Sequence, residues 1–240
     1  MRTWRPLWLI LVLGAGGALA WGQYRRAVAA GVHAVSARRT IADRVAEFGP
    51  RVHARLAPDF ARVGVSSPPA RATLIGLKAE RQLEVWVAGT TGTWRRLRSC
   101  PILAASGTLG PKLREGDRQV PEGLYGVESL NPNSRFHLAL RVNYPNARDR
   151  QRAAEDGRKH PGSDIMIHGS NCSIGCLAMG DEAAEDLFVL AAQAGIANVT
   201  ILLSPVDFRV RELPPQMPPL PAWTPALYAD IRRELADYRP

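Results

Sequence analysis

Apolar residues recur at helical intervals early in the chain, at Val28, Val32, Val35, Ile41, Val45 and Phe48, within a stretch rich in alanine and arginine. That spacing predicts one or two amphipathic helices over residues 24–60, their arginine face turned to solvent or to a lipid surface. Ser66-Ser67-Pro68-Pro69 breaks the pattern and marks an expected domain boundary. From Ala72 the period changes. Residues 72–77 and 83–88 alternate loosely, Gly89-Thr90-Thr91-Gly92 reads as a turn, and 93–103, 136–142, 165–168 and 199–203 are further strand candidates. Short strands between glycine turns predict a mainly β domain with a few helices. The clearest helix is 181–194, with Asp181 placed to cap its start and Gly195 to end it. Ala184, Leu187, Phe188, Ala191 and Ala194 give that helix one apolar face for a sheet. The proline run 213–221 cannot form a helix or sheet interior and reads as an extended strap, followed by a short helix around 225–238.

The first residues change the picture of compartment. Arg2 and Arg5 precede the apolar run 7–13, and Ala18-Leu19-Ala20 offers a small-x-small cleavage pattern. Residues 1–20 therefore read as a signal peptide or a retained inner-membrane anchor, and the chain as periplasmic. An exported chain meets an oxidising environment, and three cysteines, Cys100, Cys172 and Cys176, leave at least one unpaired in a monomer. Whether Cys100 and Cys172 pair stays open. A formal net charge of +9 and a pI of about 10.2 point to an anionic partner: nucleic acid, a membrane surface or a cell-wall polymer. No zinc-finger spacing, ribonucleoprotein motif or arginine-lined recognition helix supports nucleic acid, which is set aside.

The chemistry is concentrated in residues 162–179. An apolar strand delivers His168 at its end, a polar loop follows, and Gly175-Cys176 precedes the helix at Asp181. A cysteine nucleophile needs a base to yield its thiolate, and a glycine before it lets backbone amides approach a substrate carbonyl as oxyanion donors. The same stretch also reads H-x3-C-x3-C through His168, Cys172 and Cys176, with His160 or Asp181 as a fourth ligand, so a zinc-stabilised module is the alternative.

These residues resemble a known family, the L,D-transpeptidase catalytic domain (YkuD type), and more closely its YafK/DpaA-like branch. The resemblance is carried by IHGSNCSIGC at 167–176, GSDIM at 162–166, PEGLY at 121–125, and NPNSRFHLAL with NYPN between 131 and 146. It implies a β-sandwich or barrel over 71–205, after a basic helical extension over 21–70 and before the proline-rich strap over 206–240. It implies further that Cys176 attacks a carbonyl, that His168 takes the thiol proton, and that the carbonyl of Gly169 orients the imidazole. Ser173 and Gly175 match the family's Ser-x-Gly-Cys loop, with amides near Gly175 and Cys176 as the oxyanion hole. Peptidoglycan stem peptides are the implied substrate, a wall-linked lipoprotein the implied further partner in this branch, and no cofactor is implied. Two features depart from the wider family: Ala178 stands where many relatives carry arginine or asparagine, and the loop from His168 to Cys176 is short. His137 of the RFHLAL motif reads either as lining the site or as a structural histidine, and Tyr125, Asn131, Arg135 and Asn143 are further candidates to line the cleft, with no assigned role. A catalytically silent wall-binding module is the competing reading from another class.

Overall fold

The computed structural model describes residues 38–90, 92–173 and 175–239. The expected signal or anchor over 1–20 and the helical positions Val28, Val32 and Val35 lie outside the described residues. Helix α1 (Ile41–Val63) is built on Phe48, Val52, Leu56 and Phe60, which recur every fourth position and are all buried. Ile41 is exposed and Val45 half-buried, so the buried stripe begins at Phe48. The Thr40 hydroxyl accepts from Asp43 N and the Asp43 carboxylate from Thr40 N, a reciprocal cap. Gly64, at φ 68°, closes the helix. No helix among the described residues is long and apolar enough to cross a membrane.

Among the described residues nine strands follow: β1 (Arg71–Leu77), β2 (Gln82–Ala88), β3 (Trp94–Pro101), β4 (Ala104–Ala105), β5 (Gly123–Ser134), β6 (His137–Val142), β7 (Met166–His168), β8 (Leu177–Ala178) and β9 (Val199–Ser204). They form one curled sheet in the order β3-β2-β1-β9-β5-β6-β7-β8-β4, mainly β with few helices, as expected. The pairs β1–β9 and β7–β8 are parallel and the rest antiparallel. Strand β5 joins the two halves, pairing with β9 through Gly126 and with β6 from Val127 onward.

Three further helices are α2 (Ala147–Glu155), α3 (Asp181–Ala194) and α4 (Thr224–Leu235). Strands β1, β2 and β9 are buried on both faces, which explains their near-continuous apolar sequence. Leu74, Leu83, Val85, Val87, Ile201 and Leu203 join α1 and α3 in one core. Ile75, Leu77, Trp86 and Leu202 join Leu227, Ile231 and Leu235 of α4 in a second.

Several expectations are corrected. The arginine face of α1 is not simply solvated: Arg51 and Arg55 pair with Glu185, and Arg55 also with Asp186, both buried carboxylates of α3. Arg98 of β3 adds bonds to Asp59 and Asp186. The break at Ser66-Ser67-Pro68-Pro69 is a loop within one compact unit, residues 40–240. Asp181 does not cap α3, whose cap residue is Gly180 at φ 78°; its carboxylate accepts instead from Ser170 N at 2.8 Å.

Candidate active site

The parallel register of β7 and β8 sets Ile167 beside Leu177 and His168 beside Ala178. Side chains alternate between sheet faces. Carrying that register back one residue sets Cys176 beside Met166, on the same face as His168. The framework is held by Met179 N donating to His168 O at 2.8 Å and Leu103 N to Ala178 O at 2.9 Å.

His168 is 2% exposed, and its Nδ1 lies 2.6 Å from Gly169 O. A carbonyl oxygen only accepts, so Nδ1 carries the proton and Nε2 keeps the lone pair a base needs. Glycine is required at 169: a Cβ there would lie 2.6 Å from Asp181 Oδ1 and 2.8 Å from Phe136 O. Burial pushes the imidazole below its ordinary range, opposed by the Gly169 carbonyl. Burial pushes the Cys176 thiol up, with the Asp164 charge adding to it and Lys112 opposing. The resting pair is therefore a neutral thiol with a neutral imidazole. The half-exposed thiol donates to Asp164 O at 3.6 Å rather than to His168.

The expected oxyanion donors are occupied. Cys176 N donates to Ser173 Oγ at 3.1 Å, and Ser173 Oγ donates to Cys176 O at 2.6 Å. Gly175, at φ 92° in the left-handed region, donates its N–H to Ser106 Oγ at 2.5 Å, and Ser106 Oγ donates to Arg118 O at 2.8 Å. A substrate oxygen would have to displace these hydroxyls to reach both amides. Beside Gly175 lies a cavity of about 180 Å³, lined among others by Lys112, Glu115, Arg118 and Asp164. Lys112 is committed to Asp117 at 2.5 Å.

The zinc donors are not brought together. His168 Nδ1 is bonded to Gly169 O, Cys176 to Asp164 O, and Cys172 Sγ lies 3.8 Å from Ser170 Oγ. Among the described residues no group of three His, Cys, Asp or Glu is placed to hold a metal ion. All three cysteines are unpaired, Cys100 buried and Cys172 exposed.

Of the unassigned motif residues, Tyr125 and Asn143 line a separate cavity of about 450 Å³ shared with α2 and α4. The Asn131 side chain accepts from Asn133 N, and Arg135 sits exposed at the β5–β6 turn. His137 bonds Glu185 at 2.9 Å and packs edge-on against Phe48. Two further residues lie near the site: Ser106, which carries no sequence signal, and Phe136, whose signal is an aromatic ring in an otherwise polar turn. The Phe136 ring stacks on His168 with centroids 4.7 Å apart and planes at 27°.

A family model described as the L,D-transpeptidase catalytic domain (YkuD) matches residues 71–201. The putative L,D-transpeptidase YafK of Escherichia coli K12 is 40% identical over 138 residues, covering 56% of this chain and 53% of that protein. The chain thus spans about half the length of the curated relatives it matches. Among solved structures, the helical cell shape determining protein Pgp2 of Campylobacter jejuni is 23% identical with a TM-score of 0.45, over 55% of this chain and 47% of that one. L,D-transpeptidase 1 of Mycobacterium tuberculosis is 17% identical with a TM-score of 0.33, over 56% of this chain and 62% of that one. Since the model match runs from the first residue of β1 into β9 and takes in the loop that holds Cys176, the chain belongs to the L,D-transpeptidase catalytic domain family.

Proposed function

We propose that this chain is a periplasmic cysteine acyl-transfer enzyme acting on peptidoglycan stem peptides, with Cys176 as nucleophile and His168 as base. The observation that carries the reading is the Nδ1 bond to Gly169 O, which leaves Nε2 unprotonated at the end of β7, in register with the short strand that directly follows Cys176. In the reaction, Nε2 takes the thiol proton as Sγ attacks the amide carbonyl, and the C–N bond then breaks as the proton passes to the departing amine. The product is a thioester on Cys176. An amine acceptor resolves it to a new cross-link, and water resolves it to a free acid. Family membership and the likeness to YafK support the substrate class. The apolar run and small-x-small pattern in residues 1–20 support export, followed by cleavage or retention as an anchor.

Hydrolysis of a wall-linked amide, including a lipoprotein linkage, is expected to be at least as prominent as cross-linking. Ala178 is buried and offers no polar group to an acceptor at a position where many relatives carry one. The test incubates the full chain separately with lipoprotein-linked muropeptides and with tetrapeptide donors plus an amine acceptor, and reads masses of products and protein. An acyl adduct on Cys176 with release of the linked peptide is expected. Dimer formation without release would overturn the hydrolytic preference, and turnover with no adduct dependent on Cys176 would overturn the mechanism.

A further inference from the structure

The two-residue turn between β5 and β6 lies against the imidazole. Phe136, on that turn, is 42% exposed while His168 beneath it is 2% exposed. The ring belongs to neither hydrophobic core of the fold. An aromatic side chain that leaves one face in water and lays the other on a histidine adds little to folding and much to that histidine's surroundings.

The turn itself is fixed from behind. Phe136 N donates to Ser134 Oγ at 3.0 Å, and His137 takes the left-handed φ of 70°, unusual for a residue with a side chain. His137 Nε2 lies 2.9 Å from Glu185 Oε1, and its ring sits edge-on to Phe48 at 5.1 Å. Glu185 in turn is clamped by Arg51 and Arg55 of α1. On its inner side the turn closes on Gly169, the residue whose carbonyl holds Nδ1. A strained residue held by groups on two helices is an arrangement that positions its neighbour.

We propose that Phe136 is the positioning residue of His168: its ring excludes water from one face of the imidazole and fixes the tilt at which Nε2 meets the Cys176 thiol, with α1 and α3 holding the turn through His137. This rests on the reading of His168 as the base. The titratable groups around this loop are Asp181 of α3, which accepts from Ser170 N, and the Cys176 thiol, which donates to Asp164 O, while His137 and Glu185 lie behind the turn. Removing the ring hydrates the imidazole, so its affinity for a proton rises toward that of free histidine. The base is then partly protonated at pH values where the native one is neutral.

The test measures the rate of Cys176 alkylation by iodoacetamide against pH in the full chain, together with kcat and KM on a stem-peptide substrate. Phe136→Ala is expected to move the acid limb of the alkylation profile to higher pH. It should also lower kcat roughly 10- to 100-fold, the scale of a small misplacement of a catalytic group, with little change in KM. Phe136→Tyr, which keeps the stacked ring, should restore the native profile. If Phe136→Ala does not fold, Phe136→Leu is read by the same criteria. A folded variant with native profile and kcat overturns the proposal, as does a rise in KM alone, which would make Phe136 a substrate contact. His168→Ala separates the two levels: if it leaves the alkylation profile unchanged, the base reading falls and the positioning role with it. If it flattens the profile while the Phe136 variants do not change it, only the positioning role falls.

Discussion

On the proposed mechanism the thiolate of Cys176 is made during attack rather than stored as an ion pair, since burial pushes the thiol up and the His168 imidazole down. That places the burden on Nε2, and Cys176→Ala and His168→Ala are both expected to abolish turnover of muropeptides in protein that still folds, with His168→Ala melting lower because its side chain is buried. A half-buried thiol whose affinity for its proton is raised by burial is scarcely ionised near neutral pH without a base. Retained turnover in either folded variant would refute its assigned role. Gly169→Ala tests the support of the base instead: the added methyl meets Asp181 Oδ1 and the Phe136 carbonyl well inside contact distance. We expect it to cost about 1–3 kcal/mol of stability by overpacking and to lower kcat, both read from denaturation curves and assays of the folded protein. A native-like melt and kcat would mean the turn can give way. The need for glycine here was half legible, since a glycine directly after the histidine hints at close approach, but which atoms approach depends on a turn more than 30 residues upstream in sequence.

At the scale of elements, α3 was announced by its repeating apolar face, and β1, β2 and β9 by short, nearly continuous apolar runs set between turn residues. It missed β5 because glycines and a proline interrupt the alternation, and that strand is held by neighbours on both sides. Helix α2 was missed although Asn146 and Asp149 form a capping box at its start. The α1–α3 contact was invisible because a pair of arginines on one helix and a pair of carboxylates on another have no sequence relation until the sheet brings them together. The ion pairs of α1, with α3 and with Arg98 of β3, predict a pH dependence. Burial opposes the charges of Asp59 and Glu185, yet arginines, and for Glu185 also His137, hold both below the ordinary carboxylate range. Such groups stabilise the fold above their unfolded pKa, near 4, and that contribution is lost as pH falls through their lower folded values. Asp186 runs the other way, since burial raises it in spite of Arg55 and Arg98, so its protonation relieves the fold on acidification. With two groups against one, amides of α1 should lose hydrogen-exchange protection below about pH 4 before those of β1 and β2. Uniform loss across the fold would show that the carboxylates are not what ties α1 down.

For the whole molecule, the half of the sheet away from Cys176 is closed by residues beyond the matched family segment, which ends at residue 201. Tyr228, Leu227, Ile231, Leu235 and Tyr238 cover Ile75, Trp86 and Leu202, which would otherwise present an apolar face to water. The buried carboxylate of Glu122 fastens this layer to the sheet: it accepts from Lys78 Nζ, Gly110 N and Tyr228 OH, each at 2.8 Å. Leu235→Ala, at a fully buried position, should cost about 2–5 kcal/mol from lost burial and the cavity left behind. Tyr228→Phe removes one donor from a buried carboxylate and should cost about 1–3 kcal/mol. Leu124→Ala, at an exposed position, should stay within about 0.5 kcal/mol. Because α4 belongs to the half of the sheet that carries neither His168 nor Cys176, the first two losses should appear in urea midpoints, with kcat of the folded protein unchanged. A drop in kcat for Leu235→Ala under conditions where the protein remains fully folded would mean that this layer reaches Cys176 through β5. The strap and α4 would then have to be counted among the elements that set the geometry of the site.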